Sequence, residues 1–368
     1  FASKSRSPEA SIVNLYKIKV YNRGFSCYDG FDREVNRVKT KEHLLALFEK
    51  NKGTYFSGEE IAAALSVSRA AVWKAVQSLR SEGYEIDAVP NKGYSLSSQT
   101  DILSAQGIRK YLEPACAGVE LTVLQAVGST NAIARERAAA GAKEGDTVIA
   151  NCQTNGKGRF GRIFFSPAET GIYMSLILRP AHDSSQRAVK LTTMAAVAGC
   201  EAIEAITGEK AQIKWVNDLY LNGRKVGGIL TEASLGLEND FLDYVVLGIG
   251  INVYPPEDGF PEELKRIAGA VLPEARSDGK NHLAAEFLNR FMSYYSDPEN
   301  AGYAGEYRRR SLAIGKEIQV HSHGGSRRAT ALDVDEECRL IVKYEDGKTD
   351  CLSSGEISIR LTETGELV

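Results

Sequence analysis

Between Gln153 and Arg162 the chain reads Gln-Thr-Asn-Gly-Lys-Gly-Arg-Phe-Gly-Arg, and the residues that follow decide what this segment can fold into. The spacing Gly156-x-Gly158-x-x-Gly161 imitates a dinucleotide-binding fingerprint. That fingerprint needs a helix directly after it, so that the helix N-terminus can receive a pyrophosphate. Here Ile163-Phe164-Phe165-Ser166-Pro167 comes next, and then the β-branched and aromatic run Ile172–Leu178. No helix opens, so the segment is expected to be a cationic loop joining two strands. Its glycines let the backbone approach an anion, and Lys157, Arg159 and Arg162 bring the charge. Taken alone, the loop also fits a solvated glycine-rich turn.

The 368 residues exceed an ordinary single domain, which points to two or three. A net charge of −3 gives no global attraction to nucleic acid, so a DNA contact has to come from a local patch. Six cysteines are scattered without a CxxC pair, as expected of a protein of the reducing cytoplasm. No apolar run is long enough for a membrane span, because Glu201 and Glu204 interrupt the nearest approach at 192–206. The N-terminus lacks a signal-peptide layout, and residues 1–38 read as an extension without an assignable role. His321-Ser322-His323 puts two imidazoles on one strand face, where surface placement outweighs metal ligation.

From Thr40 the pattern sharpens. Leu44, Leu45, Leu47 and Phe48 predict a helix that Asn51-Lys52-Gly53 stops, and Ser57-Gly58-Glu59-Glu60 is a capping box for a second helix. A third helix is expected from Ser68, with Val72, Val76 and Leu79 inward and Arg69, Lys74, Gln77 and Arg80 on other faces. A two-stranded ribbon around Pro90-Asn91-Lys92-Gly93 completes a winged helix-turn-helix. Its third helix would enter the major groove, with Ser68, Arg69, Lys74, Gln77 and Arg80 near DNA and Lys92 near a phosphate. Beyond 97 strands and helices alternate, with an Asn222-Gly223 hairpin signal. From about Ala313 short alternating strands predict a small β-barrel. The expectation is an α+β multi-domain chain divided at 1–38, 39–97, 98–312 and 313–368.

Four stretches concentrate polar residues in the middle unit: Gly128–Asn131, the basic loop, Lys214–Leu219 and Asn222–Gly228. No Ser/His/Asp set or nucleophilic cysteine stands out. Cations and donors without a protein nucleophile suit a reaction that holds two anionic substrates together, such as phosphoryl or nucleotidyl transfer.

Taken together these stretches resemble the biotin–protein ligases, above all the bacterial bifunctional type that is also a biotin-operon repressor. The family's Gly-Arg-Gly-Arg-x-Gly-Arg is matched by Gly156–Arg162, and its Lys-Trp-Pro-Asn-Asp by Lys214-Trp215-Val216-Asn217-Asp218. Ser129-Thr130-Asn131, Arg224–Ile229 and Gly248-Ile249-Gly250-Ile251-Asn252 match three further motifs, over about 40–362 in all. Val216 replaces a proline, and Lys157 replaces an arginine whose bidentate fork it cannot reproduce.

The resemblance implies a winged-helix DNA-binding domain, a catalytic domain on a mixed sheet and an SH3-like C-terminal barrel. It implies ATP and biotin as substrates, Mg²⁺ with the nucleotide, and biotinyl-5′-AMP as intermediate. Its partners would be a lysine of a biotin carboxyl carrier protein, operator DNA and a second copy of the chain. By the same resemblance Arg159 and Lys225 serve catalysis, while Ser129, Thr130, Asn131, Gln153, Gly156, Lys157 and Gly158 join them around biotin. Arg162, Phe164, Lys214, Asn217 and Asn252 fall to the nucleotide, and Asp218 to Mg²⁺. The loop 153–166 is expected to be disordered without ligand and to close over the adenylate, shielding it from water.

Overall fold

The computed structural model describes residues 27–180, 187–235, 242–297, 302–322 and 325–359. Helix α1 (Cys27–Lys50) opens well ahead of Thr40, so the last part of the presumed extension continues a helix; residues 1–26 lie outside the described part. Leu44, Leu45 and Phe48 on α1 are buried, and Gly53 (φ +76°) turns the chain after it. Helix α2 (Gly58–Leu65) carries the complete capping box: Ser57 Oγ accepts from the Glu60 amide, and the Glu60 carboxylate accepts from the Ser57 amide. Ser68 caps α3 (Arg69–Ser81) by accepting from the Ala71 amide, and its exposed hydroxyl keeps its own proton to donate. Helix α3 buries Val72, Ala75, Val76 and Leu79 against Leu44, Phe48 and Ile61.

Strands β1 (Ile86–Val89) and β2 (Gly93–Leu96) form the antiparallel wing. A side chain at Gly93 would meet the Phe56 carbonyl oxygen at 2.0 Å, so the wing closes on the segment before α2 only with glycine there.

The middle unit runs α4 (Ala105–Arg109), β3 (Glu120–Leu124), α5 (Thr130–Ala139), β4 (Asp146–Ala150), β5 (Gly171–Leu178), α6 (Arg187–Thr207), β6 (Gln212–Lys214), β7 (Asp218–Leu221), β8 (Arg224–Leu235), β9 (Leu242–Asn252), α7 (Gly279–Ser296) and α8 (Tyr303–Arg310). Its seven strands lie in the order β3-β4-β5-β9-β8-β7-β6. Only β3 and β4 pair in parallel, because α5 carries the chain back between them; the remaining neighbours are antiparallel. The Asn222-Gly223 turn has both residues at positive φ (50° and 73°), as the tight hairpin from β7 to β8 requires. Alternate residues of β5 serve two cores: Leu176 and Leu178 join α6 and α7, while Ile177 joins Ala134 and Ala138 of α5.

The last unit is an antiparallel sheet of β10 (Glu317–Ser322), β11 (Gly325–Val334), β12 (Leu340–Tyr344), β13 (Thr349–Leu352) and β14 (Glu356–Ile359), ordered β13-β12-β11-β10-β14. Strands β13 and β14, consecutive in the chain, stand at opposite edges, so backbone pairing does not close this sheet into a barrel. The His321 ring is engaged on both sides, by Ser326 Oγ at 2.7 Å and Ser358 Oγ at 2.8 Å, which fits a structural role; His323 lies outside the described residues.

An ionic cluster joins the winged-helix unit to the middle unit. Asp278 accepts from Lys52 (2.7 Å) and Lys110 (2.6 Å), and Lys110 also reaches Glu49 of α1 at 2.8 Å. All four side chains are largely buried. Burial opposes the charge on Asp278, yet the hydrogen bonds from Lys110 and Lys52 hold its carboxyl below the ordinary range.

Candidate active site

A cavity of about 320 Å³ gathers the sequence motifs. The N-terminus of α5 brings Ser129, Thr130 and Asn131, the chain after β4 brings Gln153 and the basic loop, and the β6–β7 turn brings Lys214, Trp215, Asn217 and Asp218. Strand β8 adds Lys225 and Gly228 to Leu230, and β9 adds Gly248 to Gly250. The loop leaves β4 and returns to β5, its antiparallel neighbour, with one three-residue turn at Arg159–Gly161 in place of a helix. It is held by the Gly158 amide on the Arg162 carbonyl (2.7 Å) and the Phe164 amide on the Gly156 carbonyl (2.9 Å).

One end of the cavity is neutral and polar. Gln153 Oε1 accepts from the Thr130 amide at 2.9 Å and its hydroxyl at 3.2 Å, while Nε2 donates to Ser166 Oγ at 3.1 Å. Ser129 begins α5 without a side-chain cap, so its hydroxyl is left for the cavity it lines. Asn131 lines the cavity as well and is held by the protein around it. Its amide donates to the Leu230 carbonyl (3.2 Å) and Glu232 (2.8 Å), and its oxygen accepts from Ser175 at 2.6 Å. Those bonds fix Asn131 within the wall of the cavity that it helps to line. Gly248 admits it, since a Cβ there would lie 2.1 Å from Asn131 Oδ1.

The other end is cationic. Lys225 Nζ pairs with Asp218 Oδ1 at 2.7 Å, and Arg159 Nη1 donates to Asn217 Oδ1 at 3.0 Å. Burial pushes the pKa values of both Arg159 and Lys214 downward, so both cations are poorly solvated. Asp218 and Glu356 are the carboxylates among the lining residues. Arg162 grips Glu356 of β14 with both guanidinium nitrogens (2.6 and 2.9 Å), so the last unit reaches the basic loop. The Lys214–Asp218 turn is held from two sides: Trp215 Nε1 donates to the Cys338 carbonyl (3.2 Å) and Tyr307 Oη to the Val216 carbonyl (2.9 Å).

Phe164 packs over β9, where a side chain at Gly250 would come within 2.6 Å of its ring. Gly156 lies behind the cavity wall, because its Cβ position is filled by the Phe164 carbonyl oxygen at 2.4 Å. Asn252 is not brought to the cavity; its amide donates to the Gly269 carbonyl at 3.1 Å. Lys157 does line it, although it is exposed. Sequence reasoning missed Glu356, which sits in a different sheet, and the apolar rim of Phe160, Ile163 and Ile267, all more than half exposed.

On the winged-helix unit Arg69, Lys74 and Lys92 are exposed and Gln77 is partly so. Arg80 is exposed as well, and its Nε donates to the Ile86 carbonyl at 3.0 Å, tying α3 to the wing.

Three family models match in succession: a helix-turn-helix domain at 40–95, the biotin/lipoate A/B protein ligase family at 123–252, and the biotin protein ligase C-terminal domain at 313–360. A bifunctional ligase/repressor BirA of Bacillus spizizenii is 37% identical over 84% of this chain and 96% of its own length. Its counterpart in Escherichia coli is 30% identical over 87% and 97%. The chain belongs to the bifunctional biotin ligase/repressor family. A biotin protein ligase from Aquifex aeolicus, solved with biotin and ATP, is 26% identical at a TM-score of 0.54, covering 65% of this chain and 97% of that one. Membership in the ligase/repressor family carries both activities: attachment of biotin to protein and control of transcription through the helix-turn-helix. No helix among the described residues is long and apolar enough to cross a membrane.

Proposed function

We propose that the cavity joins biotin to AMP and passes the biotinyl group to a lysine of a carrier domain, the cationic end carrying the first step. A biotin carboxylate oxygen attacks the α-phosphorus of ATP; the bond from that phosphorus to the bridging oxygen breaks, and pyrophosphate leaves with the electron pair. Two anions must meet, and Arg159, Lys214 and Lys225 offset their repulsion. In the second step the acceptor lysine, as free amine, attacks the biotinyl carbonyl carbon. AMP departs with the bonding pair, and the nitrogen loses its proton.

The neutral end suits a urea. Gln153, Ser129 and Thr130 offer both donors and acceptors, which a buried ureido ring requires on its N–H and C=O edges. A lipoyl chain would leave those groups unmatched, and this observation carries the choice of biotin. Phe164 and the rim formed by Ile267 supply apolar cover for an adenine, while Arg162 turns from Glu356 toward phosphate. Asp218 is the carboxylate available to Mg²⁺, which would neutralise phosphate charge when bound; no group of three His, Cys, Asp or Glu forms a metal cage among the described residues.

The carrier would be the biotin carboxyl carrier protein of a carboxylase, and the protein would work in the cytoplasm. Adenylate-linked dimerisation and closure of loop 153–166 would couple ligand to operator binding. Biotin-dependent exchange of pyrophosphate into ATP tests the central claim, with lipoate run in parallel. Exchange with biotin alone is expected; equal exchange with lipoate, or none with biotin, refutes it.

A further inference from the structure

Helix α3 carries one feature that the cations of the winged-helix unit do not explain. Trp73 is 54% exposed, although Val72 and Val76 beside it on the helix pack with Leu79 into the core. Arg69 and Gln77 stand one turn before and one turn after it on the same row, and Ala70 beside it leaves room. The chain's other tryptophan, Trp215, is 4% exposed, as is usual for so large an apolar side chain. An indole left in water on a polar helix face points to an external partner. The neighbouring charges identify its sign: Arg69, Lys74 and Lys92 are exposed and enter no ion pair among the described residues.

We propose that Trp73 is a sequence-determining contact, reading a thymine in the major groove; this rests on the DNA-binding reading of the same helix. Indole offers an apolar ring and one N–H donor. In the major groove thymine presents an O4 acceptor beside the C5-methyl group. Adenine presents an acceptor and a donor, guanine two acceptors, and cytosine a donor. Thymine alone matches both parts of the side chain. Arg69 and Lys74 then hold the backbone on either side, contributing affinity that is largely blind to sequence.

The test starts from a duplex selected out of a random-sequence pool by the wild-type protein with biotin and ATP. Dissociation constants are measured for wild type, Trp73→Ala and Trp73→Phe on that duplex and on copies carrying uracil for thymine at one position at a time. Wild type should lose about tenfold at one or two positions, where only a methyl group has gone. Trp73→Ala should bind the parent duplex at least tenfold more weakly and ignore uracil at those positions. Trp73→Phe should keep part of the methyl sensitivity. Because Trp73 is exposed, the variants should unfold at the wild-type temperature, which circular dichroism checks. Trp73→Ala binding like wild type, or losing the same factor at every uracil, overturns the proposal. A variant that keeps DNA affinity but no longer sediments as a dimer assigns this face to a second copy and also overturns it. Failure of the DNA-binding reading itself would be distinct: no sequence would be enriched from the pool.

Discussion

Replacing Arg159 separates catalysis by charge from catalysis by shape. Its guanidinium donates to Asn217 at 3.0 Å, and no carboxylate pairs with it among the ion pairs of the described residues. Burial already lowers its pKa, so water solvates it poorly and an arriving anion gains most of the attraction. At a separation of about 4 Å and an effective dielectric of about 20, one such charge contributes roughly 4 kcal/mol. Loss of a preorganised oxyanion partner usually costs about 3–4 kcal/mol, or 10²–10³ in rate. Arg159→Ala should therefore lower kcat/KM for biotin-dependent pyrophosphate exchange by about 10²–10³. Arg159→Lys should fall between, keeping charge without the fork. Asn217→Ala leaves the charge and removes its positioning bond, for a loss of about tenfold. An Arg159→Ala enzyme within tenfold of wild type, with unchanged thermal unfolding, would refute the electrostatic account.

Further outcomes follow from the packing. Gly248→Ala would force a methyl to 2.1 Å from Asn131 Oδ1. Thermal unfolding should show a loss of about 1–3 kcal/mol, and biotin titration a weakened site. Asp278→Asn removes the anion shared by Lys52 and Lys110 and should destabilise by about 3–5 kcal/mol in urea unfolding. Since the folded pKa of Asp278 is depressed, its contribution is complete above the ordinary aspartate value and fades as pH falls through the folded value. Stability of the wild type should thus drop below about pH 4 more steeply than that of the variant. Arg80→Ala should destabilise the winged-helix unit by about 1–3 kcal/mol through the orphaned Ile86 carbonyl, read as an earlier calorimetric transition. Lys74→Ala should instead leave stability unchanged and reduce the salt dependence of DNA binding by about one counterion.

Local signals were strong wherever local chemistry decides the structure. The Ser57–Glu60 capping box and the Asn222-Gly223 turn formed as their residue types dictate. The glycine-rich loop joined two strands because nothing after Gly161 favours a helix. Long-range choices were less legible. Asn131 sits within a binding motif, yet whether its amide faces ligand or protein depends on Ser175 and Glu232, reached only when β5 and β8 come together. Arg80 carries a helix-face charge like that of Lys74, and only the wing's Ile86 carbonyl distinguishes them. Glu356 left no trace in the sequence, since a lone glutamate starting a short strand resembles any surface residue until the sheets meet. The early start of α1 also escaped, although Tyr28, Phe31, Val35 and Val38 recur at helical spacing through residues 27–38.

The arrangement of partners around the cationic end explains how such a site persists without ligand. Unpaired cations brought together in a half-buried cavity repel one another and lose hydration. Here Lys225 leans on Asp218, Arg162 on Glu356 and Arg159 on Asn217. Each partner is weaker than a triphosphate: one amide oxygen, or one carboxylate that is itself partly exposed. Surface-type pairs of this kind contribute about 0–1 kcal/mol, so polyanions can displace them at little cost. Lys214 has no such partner among the described hydrogen bonds and ion pairs, and burial disfavours its ammonium before substrate arrives. On the proposed function, ATP arriving at Lys214 would relieve that burial as well as supply an attraction. Lys214→Met should accordingly stabilise the ligand-free protein while abolishing most ATP affinity. Unfolding curves with and without nucleotide would reveal that opposition, and a variant losing stability in both states would contradict it.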